Sequence, residues 1–176
     1  MATQASSKHN GARELTHKLF KTSIDIDEPT RVKMIDMLNQ QLADTFDLMS
    51  MTKQAHWNVK GPEFMQLHEL YDMFAEGLLP QIDTIAERVN ALGGVALGTV
   101  RMAAAASRLP EFTGEPFNGM DQVPELAKRY ALLAKSTRAG ITTADEAEDM
   151  DTADLLTGVS RDLDKWLWFL EAHLQA

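Results

Sequence analysis

Apolar residues recur along this chain at steps of three and four, and no segment sustains the alternation of a β-strand. Asp27, Glu28 and Pro29 form an acidic opening turn. After it, Val32, Ile35, Leu38, Leu42, Phe46 and Met49 predict a first helix to about residue 59, broken by Gly61 and Pro62. Phe64, Leu67, Tyr71, Phe74, Leu78, Ile82, Ile85, Val89 and Leu92 make one continuous apolar face, the clearest helix of the chain. Gly93 and Gly94 end it as a C-cap would, and Pro80 inside it predicts a kink or local irregularity. Between Gly98 and Gly119 the chain is too long for a simple connection, and Arg101 to Ser107 predicts a short helix there. Val123, Leu126, Tyr130, Leu133 and Ile141 mark a third long helix. The last runs from about Thr152 to Leu174, with Leu155, Val159, Leu163, Trp166 and Leu170 on one face and Asp151 as its N-cap.

The expected fold class is therefore all-α: a four-helix bundle with a short extra helix in a long middle crossover, the ferritin-like connection rather than a simple up-down one. The 176 residues suit one domain, and 44% apolar content is enough to fill a core. Absence of cysteine excludes disulfides, thiolate metal sites and a cysteine nucleophile. No apolar run approaches the roughly 18 residues of a membrane span, and the first 23 residues lack a secretory signal, so the expectation is an intracellular protein with no membrane partner. Net charge is −9 but unevenly placed: residues 1–23 carry +3 and the remainder −12. The predicted organisation is a flexible basic tail over 1–23, bearing Lys8, Arg13, Lys18 and Lys21, and a bundle domain over 24–176.

Chemistry concentrates on the second helix. His68, Asp72, Asp83 and Glu87 fall at about 0°, 40°, 60° and 100° around it, all on one flank beside the apolar face. The pairs His68/Asp72 and Asp83/Glu87 have the i,i+4 spacing by which a helix chelates a metal; the competing reading is a solvated polar face. Asp72 and Asp83 are separated by about 16 Å along a straight helix, too far to share one ion. Two copies of this helix crossing antiparallel about a two-fold axis, between Gly77 and Leu78, bring Asp72 of one chain near Asp83 of the other and create two identical sites. Gly77 at that crossing would let the backbones approach closely. Imidazole plus carboxylate without thiolate suits Fe, Mn or Zn. His56, taken alone, reads as a buried structural histidine continuing the Ile35, Leu42, Met49 stripe.

The run His56-Trp57-Asn58-Val59-Lys60-Gly61-Pro62-Glu63-Phe64-Met65-Gln66-Leu67-His68-Glu69-Leu70-Tyr71-Asp72 resembles the signature of the Dps family, ferritin-like mini-shells of starved bacterial cells. Asp83-x-x-x-Glu87, the Gly93-Gly94-x-x-x-Gly98 turn and the segment from Asp151 to Trp168 are similar to that family as well. The resemblance implies a dodecamer built from two-fold dimers that oxidises Fe(II), preferentially with hydrogen peroxide, and stores ferric mineral. It implies His56, His68 and Asp72 as ligands from one subunit and Asp83 and Glu87 from its two-fold mate, forming a mononuclear or dinuclear iron site at the subunit interface. It also implies a cytoplasmic, nucleoid-associated protein that protects DNA from oxidative damage.

Other positions acquire candidate roles beside simpler ones. Trp57 is a redox-active neighbour of the site or a packing residue at a helix end. Glu69 matches a mineral-nucleation position, although position 73, acidic in some relatives, is methionine here. Within the acidic run Glu146, Glu148, Asp149, Asp151 and Asp154, the candidates for a pore drawing in Fe²⁺ are Asp154 and Asp149; helix capping is the alternative. Two functions remain side by side: a peroxide-using ferroxidase and iron store, or primarily a non-enzymatic, DNA-condensing nucleoid protein whose basic tail binds DNA independently of sequence.

Overall fold

In the computed structural model, residues 18–115 and 117–175 are described. Among these residues five α-helices follow in order: α1 Glu28–Asn58, α2 Phe64–Ala91, α3 Val100–Ala106, α4 Gly119–Glu146 and α5 Met150–Ala172. The four long helices form the bundle: α1 pairs most extensively with α2 and α4 with α5, while α1 against α4 and α2 against α5 complete the core. The short α3 packs on α1 from within the crossover. Among the described residues no helix is long and apolar enough to cross a membrane.

Local chemistry sets the helix ends. The Asp27 carboxylate accepts from the Thr30 N–H at 2.9 Å and caps α1. At the far end of α2, Gly93 takes φ +89°, and an added Cβ would collide with the Phe20 carbonyl, so the turn requires glycine. α2 runs through Pro80 as one element; the proline is exposed, so its missing N–H falls on the solvent side. The buried face of α1 differs from the expected stripe. Val32 is exposed and Phe46 and Met49 are only half-buried, whereas Met34, Leu48 and Met51 enter the core. A 31-residue helix flanked by both α2 and α4 buries a broad face, and seven-residue steps drift about 20° per heptad around it.

The N-cap of α5 is Asp149, not Asp151. The Asp149 carboxylate accepts from the Thr152 N–H at 3.0 Å and the Thr152 hydroxyl at 2.6 Å, while Asp151 is exposed in the first turn. The crossover is held to the bundle by polar side chains. Buried Asp44 on α1 accepts from the Arg108 N–H at 2.8 Å and from Arg108 Nε at 2.9 Å. Further along, Arg129 on α4 donates to the carbonyls of Pro110 and Glu111.

Residues 18–23, within the segment assigned to the tail, lie against the body. The Phe20 N–H donates to the Gly93 carbonyl at 2.7 Å and the Thr22 hydroxyl to the Ala91 carbonyl at 3.3 Å. Arg31 then grips both sides, donating to the carbonyls of Ile26 at 3.1 Å and Leu92 at 2.9 Å. This strap fixes where the chain leaves the bundle, beside the C-terminus of α2.

Candidate metal centre

The tight turn after Val59 folds α2 back along α1, setting the last turn of α1 against the second turn of α2 and bringing His56 onto His68. Their rings stack with centroids 3.8 Å apart and planes inclined by 20°. His56 Nδ1 donates to the His68 carbonyl at 2.8 Å, and His68 Nδ1 donates to the His56 carbonyl at 2.9 Å. A carbonyl oxygen only accepts, so both rings carry hydrogen on Nδ1. In the neutral imidazole the lone pair then sits on Nε2, leaving that atom free to ligate a metal, with orientation fixed by the backbone. Phe64 lies against His68 at 5.0 Å between centroids and closes one side.

Asp72, one turn beyond His68, is met by Lys53 from α1, whose Nζ lies 2.5 Å from Asp72 Oδ1. This hydrogen bond holds the Asp72 carboxyl below the usual carboxylate range, opposed by partial burial and reinforced by the charge of Lys53. Lys53 Nζ also stands 5.8 Å from the Trp57 ring centroid, within cation–π range. Trp57 is 65% exposed, so it is not packed into its own subunit. Lys53 escapes sequence reasoning; its one signal is a place a single turn before His56 and Trp57.

Asp83 and Glu87 are both exposed, and among the described residues neither makes a side-chain hydrogen bond or ion pair. Separated from the histidines by the length of α2, they are not brought to them within one chain. Among the described residues no group of three or more His, Cys, Asp or Glu side chains is gathered closely enough to hold a metal ion. The flank of α2 that carries His68, Asp72, Asp83 and Glu87 also carries Met65 and Leu79, 58% and 53% exposed, at about 60° and 20° around the helix from His68. Gly77 has a different purpose from the one expected. It lies about 180° from His68, and a Cβ there would collide with Trp166 of α5, so its smallness serves packing inside the subunit.

The remaining candidates separate clearly. Asp149 is withdrawn from the pore: its side chain is 1% exposed, bound to Thr152 and paired with Arg88 Nη2 at 2.6 Å, so both oxygens are committed. Asp154 is exposed, on the edge shared by a cleft between α2 and α5 and a second between α4 and α5. Glu69 is exposed, with half-exposed Met73 one turn on. Lys18 and Lys21 are exposed, and Lys18 Nζ lies 4.9 Å over the Phe20 ring. Lys8 and Arg13 lie outside the described residues.

Known proteins agree with this architecture. Residues 35–176 match the Ferritin family, a ferritin-like domain. The chain is 45% identical over 158 residues to the "DNA protection during starvation protein" of Agrobacterium fabrum, covering 90% of this chain and 98% of that one. DpsC from Streptomyces coelicolor superposes with a TM-score of 0.86 at 32% identity, covering 90% of this chain and 93% of that one. A Dps protein from Vibrio cholerae, described as a member of a broad superfamily of ferritin-like diiron-carboxylate proteins, superposes with a TM-score of 0.82 at 25% identity. It covers 89% of this chain and 98% of that one. With a ferritin-like bundle, a paired-histidine site and close likeness along nearly the whole chain, this protein belongs to the Dps family.

Proposed function

We propose that this protein oxidises Fe(II) with hydrogen peroxide at sites shared between two copies, and stores the ferric product in a dodecameric shell. The observation that carries this reading is the histidine pair: two stacked imidazoles, each fixed by the other's backbone as the Nδ1–H tautomer, with a carboxylate one turn away. One chain supplies His56, His68 and Asp72; Asp83 and Glu87 of the partner subunit complete the set. The exposed Met65 and Leu79 on the same flank give such a contact apolar surface to bury. Fe(II) is here the substrate, and two of these ions deliver two electrons to one peroxide, yielding two Fe(III) and two waters with uptake of two protons. Paired delivery avoids the one-electron cleavage that releases hydroxyl radical. In this reading exposed Asp154 supplies negative charge that attracts the entering cation.

Anaerobic Fe(II) titration followed by peroxide or dioxygen, read by ferric absorbance, tests this. Peroxide is expected to oxidise bound Fe(II) much faster than dioxygen, with little spin-trapped hydroxyl radical. His68→Ala should slow the peroxide reaction at least about tenfold, since losing even a supporting partner of a metal ligand costs about 10–100-fold. A His68→Ala protein that keeps the wild-type rate, or a radical yield equal to that of free Fe(II), would overturn the reading.

A second reading, compatible with the first, is sequence-independent DNA binding. It rests on charge segregation, +3 on residues 1–23 against −12 on the rest, and on the exposure of Lys18 and Lys21. Because residues 19–22 belong to the strap, the test removes residues 1–17 and neutralises Lys18→Gln and Lys21→Gln, leaving the strap in place. That variant should lose retardation of DNA in gels while oxidising iron normally. Wild-type binding should fall steeply between about 50 and 200 mM salt, as counterion release requires. Undiminished retardation by the variant at low salt would remove the tail from the account.

A further inference from the structure

We propose that Arg161 and Lys165 form an oxyanion site that holds inorganic phosphate in the cleft between α2 and α5, as counter-ion for the ferric product; its link to iron rests on the ferroxidase reading above. The two side chains stand one turn apart on α5 and line the same cleft. Like charges at that spacing repel, and each has an ordinary helical partner three residues away, Asp164 for Arg161 and Asp162 for Lys165. Both partners are engaged elsewhere. Asp164 Oδ1 accepts from Arg138 Nη1 at 2.7 Å, and Asp162 Oδ2 accepts from Gln81 Nε2 at 2.5 Å. Gln81 is only 9% exposed, so its hold on Asp162 is anchored inside the bundle. Among the described residues neither Arg161 nor Lys165 forms an ion pair. In a body carrying −12, two adjacent cations left without a carboxylate are an exception, and an anion is what they lack.

The cleft has room for such an ion and two ends of opposite charge. A Cβ added to Gly158, one turn before Arg161, would meet nothing within 4 Å, so the space beside the cations is open. Arg161 offers parallel N–H donors that match a phosphate edge, and Lys165 adds a point charge. Asp151 and Asp154 line the other end. Asp154 precedes Arg161 by seven residues, about 10 Å along the helix, so these acids stand away from the anion. The cleft encloses about 880 Å³, far more than one phosphate fills, so cations drawn to the acidic end can meet the anion within it. Its α2 residues Met73, Gly77, Pro80, Gln81 and Thr84 centre about 110° around the helix from the flank bearing His68, Asp72, Asp83 and Glu87. A two-fold contact on that flank therefore does not lie over the cleft.

The test uses full-length, iron-free protein and inorganic phosphate, followed by equilibrium dialysis in chloride at constant ionic strength. Wild type should bind phosphate saturably. The double variant Arg161→Gln, Lys165→Gln should bind it at least about tenfold more weakly, the worth of a charge-assisted hydrogen bond. Arg161→Lys alone keeps the charge but not the fork, and should fall between the two. Gln81→Leu releases Asp162 to pair with Lys165 and should weaken binding without removing a cation. Thermal melts establish that each variant is folded, and Arg161→Gln alone, at an exposed position, serves if the double variant is not. After iron loading with peroxide in phosphate, the double variant should hold less phosphate per iron than wild type, yet oxidise the first Fe(II) ions at the wild-type rate. Equal phosphate binding by wild type and double variant overturns the site. Loss of DNA retardation in the double variant would assign these cations to nucleic-acid phosphate and overturn it too. Lost phosphate binding with an unchanged phosphate-to-iron ratio overturns the role in the mineral. His68→Ala should bind phosphate as wild type does. Failure of the ferroxidase reading, seen as wild-type iron oxidation in that variant, is thus distinguishable from failure of the anion site.

Discussion

Mixing two inactive variants is expected to restore rapid Fe(II) oxidation. The first carries His56→Ala and His68→Ala, the second Asp83→Ala and Glu87→Ala. Each alone should be nearly inactive, because every shared site lacks part of its ligand set. In a mixed pair one site inherits all four lesions. The other combines the intact histidines and Asp72 of one chain with the intact Asp83 and Glu87 of its mate, and is wild type. Co-assembled variants should therefore recover up to one full site per mixed pair, whereas sites confined to single chains would all stay damaged. The motive is geometric: the two ligand pairs lie on one flank of α2 about 16 Å apart, beyond the reach of a common ion. Native mass spectrometry must show that mixed assemblies form. Mixed assemblies no more active than either parent would sink the shared site.

Much of this was legible in the sequence because it depends on local periodicity. The Phe64-to-Leu92 pattern located α2 to within a residue at its C-terminal end, since Gly93 with φ +89° is a backbone requirement written as a residue type. The shared flank of His68, Asp72, Asp83 and Glu87 was legible for the same reason: 100° per residue places these four side chains without knowledge of any neighbour. What depended on a neighbour was not legible. Gly77 looks like a crossing point from sequence because its own helix offers no hint of the Trp166 ring that occupies the space beside it. Lys53 carries no such signal because its partner, Asp72, lies on the next helix, and the register of α1 against α2 decides which polar side chains meet. His56 looked like a structural histidine and in part is one, since its Nδ1 ties α1 to α2 while leaving Nε2 for a ligand. The start of α5 was misplaced by two residues because Asp149 and Asp151 are equally good caps in isolation.

Arg88 pairs closely with buried Asp149 and only loosely, at 3.8 Å, with exposed Asp151, and removing it should produce a large loss of stability. Arg88 reaches from α2 to the start of α5, with Nη2 2.6 Å from Asp149 Oδ1 and Nε donating to the Thr152 hydroxyl at 2.9 Å. That hydroxyl in turn donates to Asp149 Oδ2 at 2.6 Å, closing a ring of three side chains around one buried carboxylate. The Arg88 and Asp149 side chains are 12% and 1% exposed, so water cannot replace the guanidinium when it is removed. Arg88→Met leaves a buried, uncompensated carboxylate, a change that typically costs about 3–5 kcal/mol. At about 2–4 °C per kcal/mol for a chain of this size, Tm should fall by roughly 6–20 °C. Asp149→Asn in the same background removes the stranded charge while keeping an acceptor for the Thr152 N–H. The double variant should therefore melt higher than Arg88→Met alone. A Tm drop below about 3 °C for Arg88→Met, or a double variant melting lower still, would show that the pair does not join α2 to α5 in this way.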